Sequence, residues 1–240
     1  MRTVATLNTK EEIAENIYLL SFNCVIDDDI TPGQFFMIKK NISAFQLRHP
    51  FSIHRQTEKG FEILVSVVGD FTTELSNISE GEKIDVIGPL GNGFIPPSDS
   101  KIIAAGGGIG VAPLANFENF TEDIIYAVGF RSSDKIAVVN LPEDRTVIYT
   151  DDGSSGKRGY VTDYLESIDD EEIIIFSCGP EQMLYKVAEI AKTNRLRAYF
   201  SLESYMVCGL GACSGCVSPL LKSYKKVCKE GPVFSLEELR

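Results

Sequence analysis

Four cysteines near the end of the sequence have a spacing that could hold an iron–sulfur cluster. Cys208, Cys213 and Cys216 follow the pattern C-x4-C-x2-C, and Cys228 follows after eleven more residues. This spacing is typical of a loop whose thiolates hold a 2Fe-2S cluster. Most residues between the first three cysteines are glycine, alanine or serine, which let the backbone approach a small inorganic group closely. We call residues 208–216 the cluster loop.

Three other interpretations of these cysteines remain open at this stage: a zinc site, structural disulfides, and buried thiols without a ligand. Zinc sites usually carry two C-x2-C pairs, whereas this segment has a single triplet. Structural disulfides are typical of small secreted chains. Position alone also leaves the fourth cluster ligand open, because Cys228 is the nearest candidate while Cys178 and Cys24 are spare thiols.

The composition limits the partners and the compartment. The 240 residues allow one large or two ordinary domains, and the net charge of −11 disfavours nucleic acid or an anionic membrane as a partner. No apolar run has the length of a membrane span, and the first residues lack the apolar core of a signal peptide. We therefore expect a cytoplasmic protein whose thiols stay reduced.

Residues 1–97 have the pattern of short strands separated by turns, with no long helix. Such a pattern favours a small antiparallel β-barrel. The predicted strands are residues 17–25, 34–39, 51–55, 61–68 and 83–88.

Residues 98–200 alternate apolar strands with helix-like stretches, which predicts a Rossmann-like parallel sheet wrapped by helices. Residues 180–192 are the clearest helix, because their apolar side chains recur at helical spacing. Residues 201–240 hold the cysteines and are expected to form a separate lobe. The predicted strands of the second domain are residues 101–105, 124–129, 145–150 and 172–177.

Two glycine-containing turns follow predicted strands of this second domain. The segment Gly106–Pro113 precedes a predicted helix, and Gly107, Gly108 and Gly110 could let backbone N–H groups approach a nucleotide phosphate. Cys178 and Gly179 end another strand, at the edge of a parallel sheet where ligands bind. A tight turn without a ligand is the alternative for both segments, and residues 150–156 are either part of the same crevice or a plain polar loop.

The segment from Arg48 to Ser52 lies between two predicted barrel strands. Its arginine could pair with a phosphate and its serine could meet a flavin edge, although composition alone favours a surface arginine. His49 and His54 have no partner pattern for a metal site or a catalytic triad. We interpret both as ordinary surface or strand-end residues.

Together these motifs resemble the ferredoxin-NADP reductase superfamily, in which a flavin-binding barrel precedes a nucleotide-binding domain. Arg48–Ser52 and Gly69–Leu75 resemble its two flavin segments, and Gly106–Pro113 with Cys178–Pro180 resembles its nicotinamide half. One departure is Phe71, which stands where the family commonly has glycine before the flavin threonine. The resemblance implies FAD contacts from Arg48, Pro50, Phe51, Ser52, Val65, Gly69, Phe71 and Thr72. It implies NAD contacts from Gly107, Gly108, Gly110, Cys178 and Gly179.

Within that superfamily the sequence is most similar to the electron-transfer subunits of NAD-dependent dihydroorotate dehydrogenases. The similar segments are Gly88–Phe94, Thr150–Ser154, Cys178–Met183 and Glu203–Cys216. The resemblance implies electron flow from an FMN-containing catalytic subunit through a 2Fe-2S cluster and FAD to NAD, in pyrimidine biosynthesis, within a heterotetramer. The sequence has no candidate for a substrate base, as expected for a subunit that only conducts electrons. The implied cluster ligands are Cys208, Cys213, Cys216 and Cys228.

Two alternatives to this function remain. One is a flavin and iron–sulfur reductase subunit of another redox complex, of the sulfhydrogenase or transhydrogenase type, which would share every site. The other is a zinc-containing nucleotide-binding module without redox activity. The sequence does not distinguish NAD from NADP, because residues 131–133 could meet a 2′-phosphate or form a solvated surface.

Overall fold

The first half of the chain forms a closed six-stranded antiparallel barrel. The computed structural model describes residues 2–27, 29–40 and 47–240. The strand order around the barrel is β1-β2-β5-β4-β3-β6, and a short helix, α1, lies between β5 and β6. The predicted barrel is therefore confirmed. Its elements are β1 (Arg2–Ala14), β2 (Ile17–Asn23), β3 (Phe35–Lys40), β4 (His49–Thr57), β5 (Gly60–Ser66), α1 (Asp70–Ser76) and β6 (Lys83–Leu90).

Aromatic side chains fill the barrel. The ring centroids of Phe36 and Phe61 lie 4.3 Å apart, and Phe22 stacks on Phe61 at 5.3 Å. The sequence prediction missed β1, the longest strand. Only Ala5 and Leu7 of β1 are buried, so its sequence lacks the apolar run that marks the other strands.

The second half forms a seven-stranded sheet in the order β10-β9-β8-β7-β11-β12-β13. All neighbouring strands are parallel except β13, which pairs antiparallel with β12. The predicted parallel sheet is confirmed. Its elements are β7 (Ile102–Gly107), β8 (Ile124–Phe130), β9 (Thr146–Thr150), β10 (Lys157–Arg158), α2 (Val161–Glu166), β11 (Ile174–Cys178), α3 (Glu181–Thr193), β12 (Arg197–Ser201), α4 (Val227–Glu230) and β13 (Val233–Ser235).

The segment after β7 differs from the predicted α-helix. Gly108–Asn119 winds as a 3-10 helix, with Pro113 inside it. Proline lacks the N–H that an α-helix needs and clashes with the preceding turn, and glycine is a poor helix former. We call Gly108–Asn119 the 3-10 segment.

The C-terminal region is tied to both larger units. Phe234 of β13 is buried in the sheet, so the chain beyond the cysteines completes the second sheet. The Asn92 N–H, from the end of the barrel, donates to the Gly231 carbonyl at 2.6 Å. In the described residues, no helix is both long and apolar enough to cross a membrane.

Candidate redox site

The four cysteines of the predicted cluster site come together in two pairs. The sulfurs of Cys216 and Cys228 lie 3.2 Å apart. The side chain of Cys213 is hydrogen-bonded to Cys208, and the Cys213 backbone N lies 3.5 Å from the Cys208 sulfur. All six cysteines of the chain are free thiols, so the disulfide interpretation is wrong. In the described part of the chain, no three His, Cys, Asp or Glu side chains are grouped so that they could hold a single metal ion. Two thiol pairs suit a two-iron core, which four cysteine thiolates hold.

Backbone N–H groups of the cluster loop point at these sulfurs. Leu210 N donates to Cys208 Sγ at 3.4 Å, and Gly211 N donates to Cys228 Sγ at 3.1 Å. Desolvation raises the pKa of Cys208, but N–H donors from Cys213, Leu210 and Ala212 outweigh it and lower that pKa to about 6. A thiolate at Cys208 is therefore favoured, and thiolates are the form that binds metal.

The backbone of the cluster loop passes very close to the barrel. Gly209 has φ +68°, and a Cβ at this position would lie 2.4 Å from Met37 Cγ. Only glycine fits such a position without displacing its neighbour. Met37 lies on β3 directly opposite Pro50 of β4. The cluster loop therefore packs against the strand pair that carries the first predicted flavin motif.

The first flavin motif begins just before β4 and continues along it. Phe51 and Ser52 face Phe36 and Phe35 in the β3–β4 register. Arg48 forms an ion pair with Asp85 of β6, with its Nε 3.1 Å from Asp85 Oδ1.

Asp85 is shared between Arg48 and a second arginine. Arg2 Nη2 lies 2.7 Å from the other carboxylate oxygen, Asp85 Oδ2. Burial raises the pKa of Asp85, but the hydrogen bonds from Arg2 and Arg48 outweigh it and hold that pKa below its usual range. The ionised carboxylate therefore anchors a half-buried guanidinium beside the motif.

The second flavin segment forms the turn into α1. Thr72 Oγ1 accepts hydrogen bonds from the N–H groups of Val68 at 2.9 Å and Gly69 at 3.0 Å. Phe71 is buried and stacks on His49 with ring centroids 3.9 Å apart, so this departure from the family pattern is packed into the barrel. Val65, which lies on β5 before this segment, is fully buried in the barrel core.

The predicted nucleotide motifs meet in one cleft of about 350 Å³ at the ends of β7 and β11. Gly106 and Cys178 are neighbours in the parallel register, and a Cβ at Gly110 would lie 2.4 Å from the Cys178 carbonyl oxygen. Gly108 has φ +54° and faces open space. Gly107, Gly108, Gly110 and Gly179 line the cleft, whereas Cys178 is buried behind it.

The cysteine-containing region supplies a wall of the same cleft, which sequence reasoning missed. Glu203, Ser218, Pro219 and Leu220 line it opposite the glycines. Glu203 is open to solvent from the cleft but surrounded by protein otherwise, and this desolvation raises the pKa of its carboxyl group. Burial, and then the Glu203 charge, raise the pKa of Cys178, which keeps that thiol protonated. One feature of the sequence could have indicated this wall: Glu203 lies just past the carboxyl end of a parallel strand, β12.

The polar residues after β8 and β9 lie together but not in this cleft. The Ser133 N–H donates to Ser154 Oγ at 2.8 Å, and Ser154 is held in turn by Asp152. No residue of 131–133 or 150–154 lines the cleft.

His54 is not the surface or strand-end residue that the sequence suggested. His54 is only 1% exposed to solvent, and its Nδ1 lies 2.8 Å from the carbonyl oxygen of Ala112. The expectation was wrong because His54 is covered by the 3-10 segment, a contact between distant parts of the sequence.

A barrel with flavin motifs, a parallel sheet with a glycine-lined cleft, and a loop of paired thiols define a flavin-dependent iron–sulfur oxidoreductase. The sequence profile described as "Oxidoreductase FAD-binding domain" matches residues 4–94. The profile described as "Iron-sulfur cluster binding domain of dihydroorotate dehydrogenase B" matches residues 203–240. The chain therefore carries an FAD-binding and an iron–sulfur-binding domain.

Curated relatives give the particular family. The chain is 38% identical to the dihydroorotate dehydrogenase B (NAD(+)) electron transfer subunit of Listeria innocua, over 100% of this chain and 99% of that one. It is 35% identical to the protein of the same name from Clostridium acetobutylicum, over 99% and 96% of the two chains. The chain belongs to the family of electron transfer subunits of dihydroorotate dehydrogenase B.

A solved structure has the same architecture. It is a chain of an NADH-dependent reduced ferredoxin-NADP oxidoreductase, described in connection with flavin-based electron bifurcation. The TM-score is 0.88 at 29% identity, and the match covers 99% of this chain and 90% of that chain. The ferredoxin-NADP reductase-like fold predicted from the motifs is confirmed.

Proposed function

We propose that this chain accepts electrons from an FMN-containing dihydroorotate dehydrogenase catalytic subunit and delivers them to NAD. Oxidation of dihydroorotate to orotate on that subunit releases two electrons and two protons. NAD takes both electrons and one proton as a hydride, and the second proton goes to solvent. When bound, FAD can exchange a hydride with NAD and single electrons with a 2Fe-2S cluster. The chain itself holds and aligns these groups.

The contact that carries this proposal is the packing of the cluster loop against the flavin strand pair. Gly209 touches Met37, and Met37 lies opposite Pro50 of the flavin motif. Cys208, Cys213, Cys216 and Cys228 are the proposed cluster ligands. Their pairing and the N–H groups that face their sulfurs support a two-iron cluster.

The barrel residues would hold FAD. The Arg48 guanidinium, oriented by Asp85, would neutralise a phosphate of FAD. Ser52 and Thr72 would hydrogen-bond the flavin or its diphosphate. Thr72 already organises the N–H groups of Val68 and Gly69 at this turn. Pro50, Phe51, Phe71 and Val65 would shape the surface under the cofactor.

The glycine-lined cleft would take NAD. Gly107, Gly108 and Gly110 would bring backbone N–H groups to its phosphates, and Gly179 would form the opposite edge. Cys178 would support this edge from behind, since its side chain is buried. The cleft wall from Glu203 and Ser218 brings the cysteine-containing region to the nucleotide.

The proposal also covers the division into domains, the subunit assembly and the cellular compartment. Residues 1–97, 98–200 and 201–240 would be the FAD, NAD and cluster units. Two copies of each subunit would form a heterotetramer with the catalytic partner. Six reduced cysteines, four of them offered to a cluster, suit the cytoplasm.

Reconstitution tests the proposal. The purified chain, carrying its cofactors, is mixed with the FMN-containing catalytic subunit, dihydroorotate and NAD, and NADH formation is followed. Dihydroorotate-dependent NADH formation that needs both proteins is expected, with a Cys213→Ser chain as the inactive control. If NADH bleaches the chain but dihydroorotate gives no NADH with the partner, the chain serves another redox complex.

A further inference from the structure

A buried histidine joins β4 of the barrel to the 3-10 segment of the second domain. His54 lies on β4, two residues after Ser52 of the flavin motif. Its Nδ1 is 2.8 Å from the carbonyl oxygen of Ala112, which belongs to the glycine-containing turn at the NAD cleft. One side chain thus spans the two proposed binding motifs.

The other ring nitrogen of His54 faces the nucleotide unit as well. Asn140 Nδ2, from the chain between β8 and β9, lies 3.4 Å from His54 Nε2 and 3.1 Å from Glu62 Oε2 of β5. Glu62 also pairs with Arg55 at 3.1 Å. A carbonyl oxygen can only accept a hydrogen bond, so the Nδ1–H of His54 is the donor to Ala112.

A second buried amide reinforces the same seam. Asn116 of the 3-10 segment is fully buried, and its Nδ2 donates to the Ile30 carbonyl of the barrel at 2.5 Å. Ile30 N in turn donates to Oε1 of Gln56, which lies on the same strand as His54. The 3-10 segment is therefore held to the barrel by specific polar contacts, which fix direction and distance more narrowly than apolar packing does.

We propose that His54 is a positioning residue for hydride transfer. Because His54 ties β4 to Ala112 of the 3-10 segment, it fixes the distance between a flavin on the barrel and a nicotinamide in the cleft. Hydride transfer needs the reacting atoms at about 3 to 3.5 Å, and a displacement of about 1 Å can cost about a hundredfold in rate. The inference rests on the proposed FAD and NAD sites. His54 is buried, so it acts through the two elements that it joins and not by touching a cofactor.

The test compares His54→Leu with His54→Asn in the purified chain carrying FAD and cluster. The leucine removes both polar contacts, whereas the asparagine amide can still donate near the Nδ1 position. Rapid mixing with NADH gives the limiting rate of flavin reduction and the Kd for NADH, and FAD and iron contents are measured in parallel.

We expect His54→Leu to lower the limiting rate about tenfold or more while the Kd for NADH and the FAD content change less than about twofold. His54→Asn should recover most of the rate. A merely structural role would instead lower FAD content or raise the Kd. An unchanged limiting rate in His54→Leu would overturn the inference.

Asn140→Gly provides a second variant should His54→Leu fail to fold. Asn140 has φ +56°, which glycine adopts without strain, so this change removes the amide alone. A limiting rate lowered about threefold or more is expected, and an unchanged rate would overturn the role of the network. If NADH does not reduce the flavin of the unsubstituted chain, the proposed function fails first and this inference falls with it.

Discussion

Gly209 of the cluster loop lies against Met37 of the barrel so closely that a Cβ at residue 209 would be 2.4 Å from Met37 Cγ. Met37 is the direct strand partner of Pro50 in the flavin motif. The thiol pairs and the flavin strand are therefore held together by a contact that only glycine permits. The first prediction follows from this contact.

Gly209→Ala should disturb the cluster side more than a matched glycine change elsewhere. Gly81 has a similar φ, +83°, but no neighbour within 4 Å, so Gly81→Ala measures the conformational cost alone, about 1 to 2 kcal/mol. Gly209→Ala should cost more than this in the free energy of unfolding and slow cluster reduction by NADH. Equal effects of the two changes in urea unfolding and rapid mixing would contradict the close packing.

Cys213→Ser should remove the cluster and leave the flavin. Cys213 is an exposed member of the thiol set, so its loss opens the cluster without touching the barrel core. Iron should fall from about two per chain to near zero, with FAD content retained. Cys24→Ser, outside the loop, is the control that should keep its iron. Intact iron in Cys213→Ser would remove this residue from the ligand set.

Arg48→Ala should weaken FAD binding without loss of iron. A charge-assisted hydrogen bond of about 1.5 to 3 kcal/mol corresponds to a rise in the Kd for FAD of about tenfold or more. Asp85 keeps Arg2 as a partner in this variant, so no buried carboxylate is left unpaired. Arg2→Ala removes an exposed arginine from the same carboxylate and should retain FAD. Equal FAD affinity in both variants would count against Arg48.

Gly108→Ala should impair NADH binding more than folding. A Cβ at Gly108 would meet no protein atom within 4 Å, but it would project into the cleft where phosphates are proposed to bind. The Kd for NADH should rise about tenfold, while the free energy of unfolding should fall only by the conformational cost of a positive φ, about 1 to 2 kcal/mol. Gly110→Ala is the contrast, because its Cβ would overlap the Cys178 carbonyl and destabilise the fold. An unchanged Kd in Gly108→Ala would place the phosphates elsewhere.

Acid should weaken the chain through His54. Burial lowers the pKa of His54 below its ordinary 6.5, although the Ala112 and Val139 carbonyls and Glu62 raise it and Arg55 opposes them. Above pH 6.5 the residue is neutral in both folded and unfolded chains. As the pH falls below that value, the unfolded chain takes up a proton that the folded chain resists, so stability is lost.

The measurement is the free energy of unfolding against pH for the unsubstituted chain and His54→Asn. The unsubstituted chain should lose up to about 1.4 kcal/mol relative to the variant per pH unit below 6.5, until the folded-state pKa is reached. His49 titrates in both proteins and cancels in the difference. Parallel curves for the two proteins would show that His54 is not buried as a neutral group.

The parts of the fold that the sequence predicts are those set by local pattern. Apolar runs located most strands of both units, and helical spacing located α3. Strand β1 has few buried side chains, and β13 has only three residues, so neither carries a clear pattern. Pro113 does not predict the 3-10 helix from sequence, because proline is also tolerated in the first turn of an α-helix.

In the candidate site too, the residues predicted correctly are those set by local sequence pattern. Cysteine and glycine spacing brought together the thiols and the cleft glycines, because each set sits on one or two short loops. The burial of His54 and the cleft wall from Glu203 and Ser218 depend on contacts between units far apart in sequence. Such contacts leave no periodic signal in either segment.

The most direct test of the account is an anaerobic visible spectrum of the purified chain before and after NADH is added. We predict overlapping flavin and iron–sulfur absorption that bleaches when NADH is added, because one chain holds FAD, the cluster and the nucleotide cleft. A colourless, zinc-containing chain, or flavin and iron–sulfur bands unaffected by NADH, would contradict electron transfer between the cleft and the cluster loop.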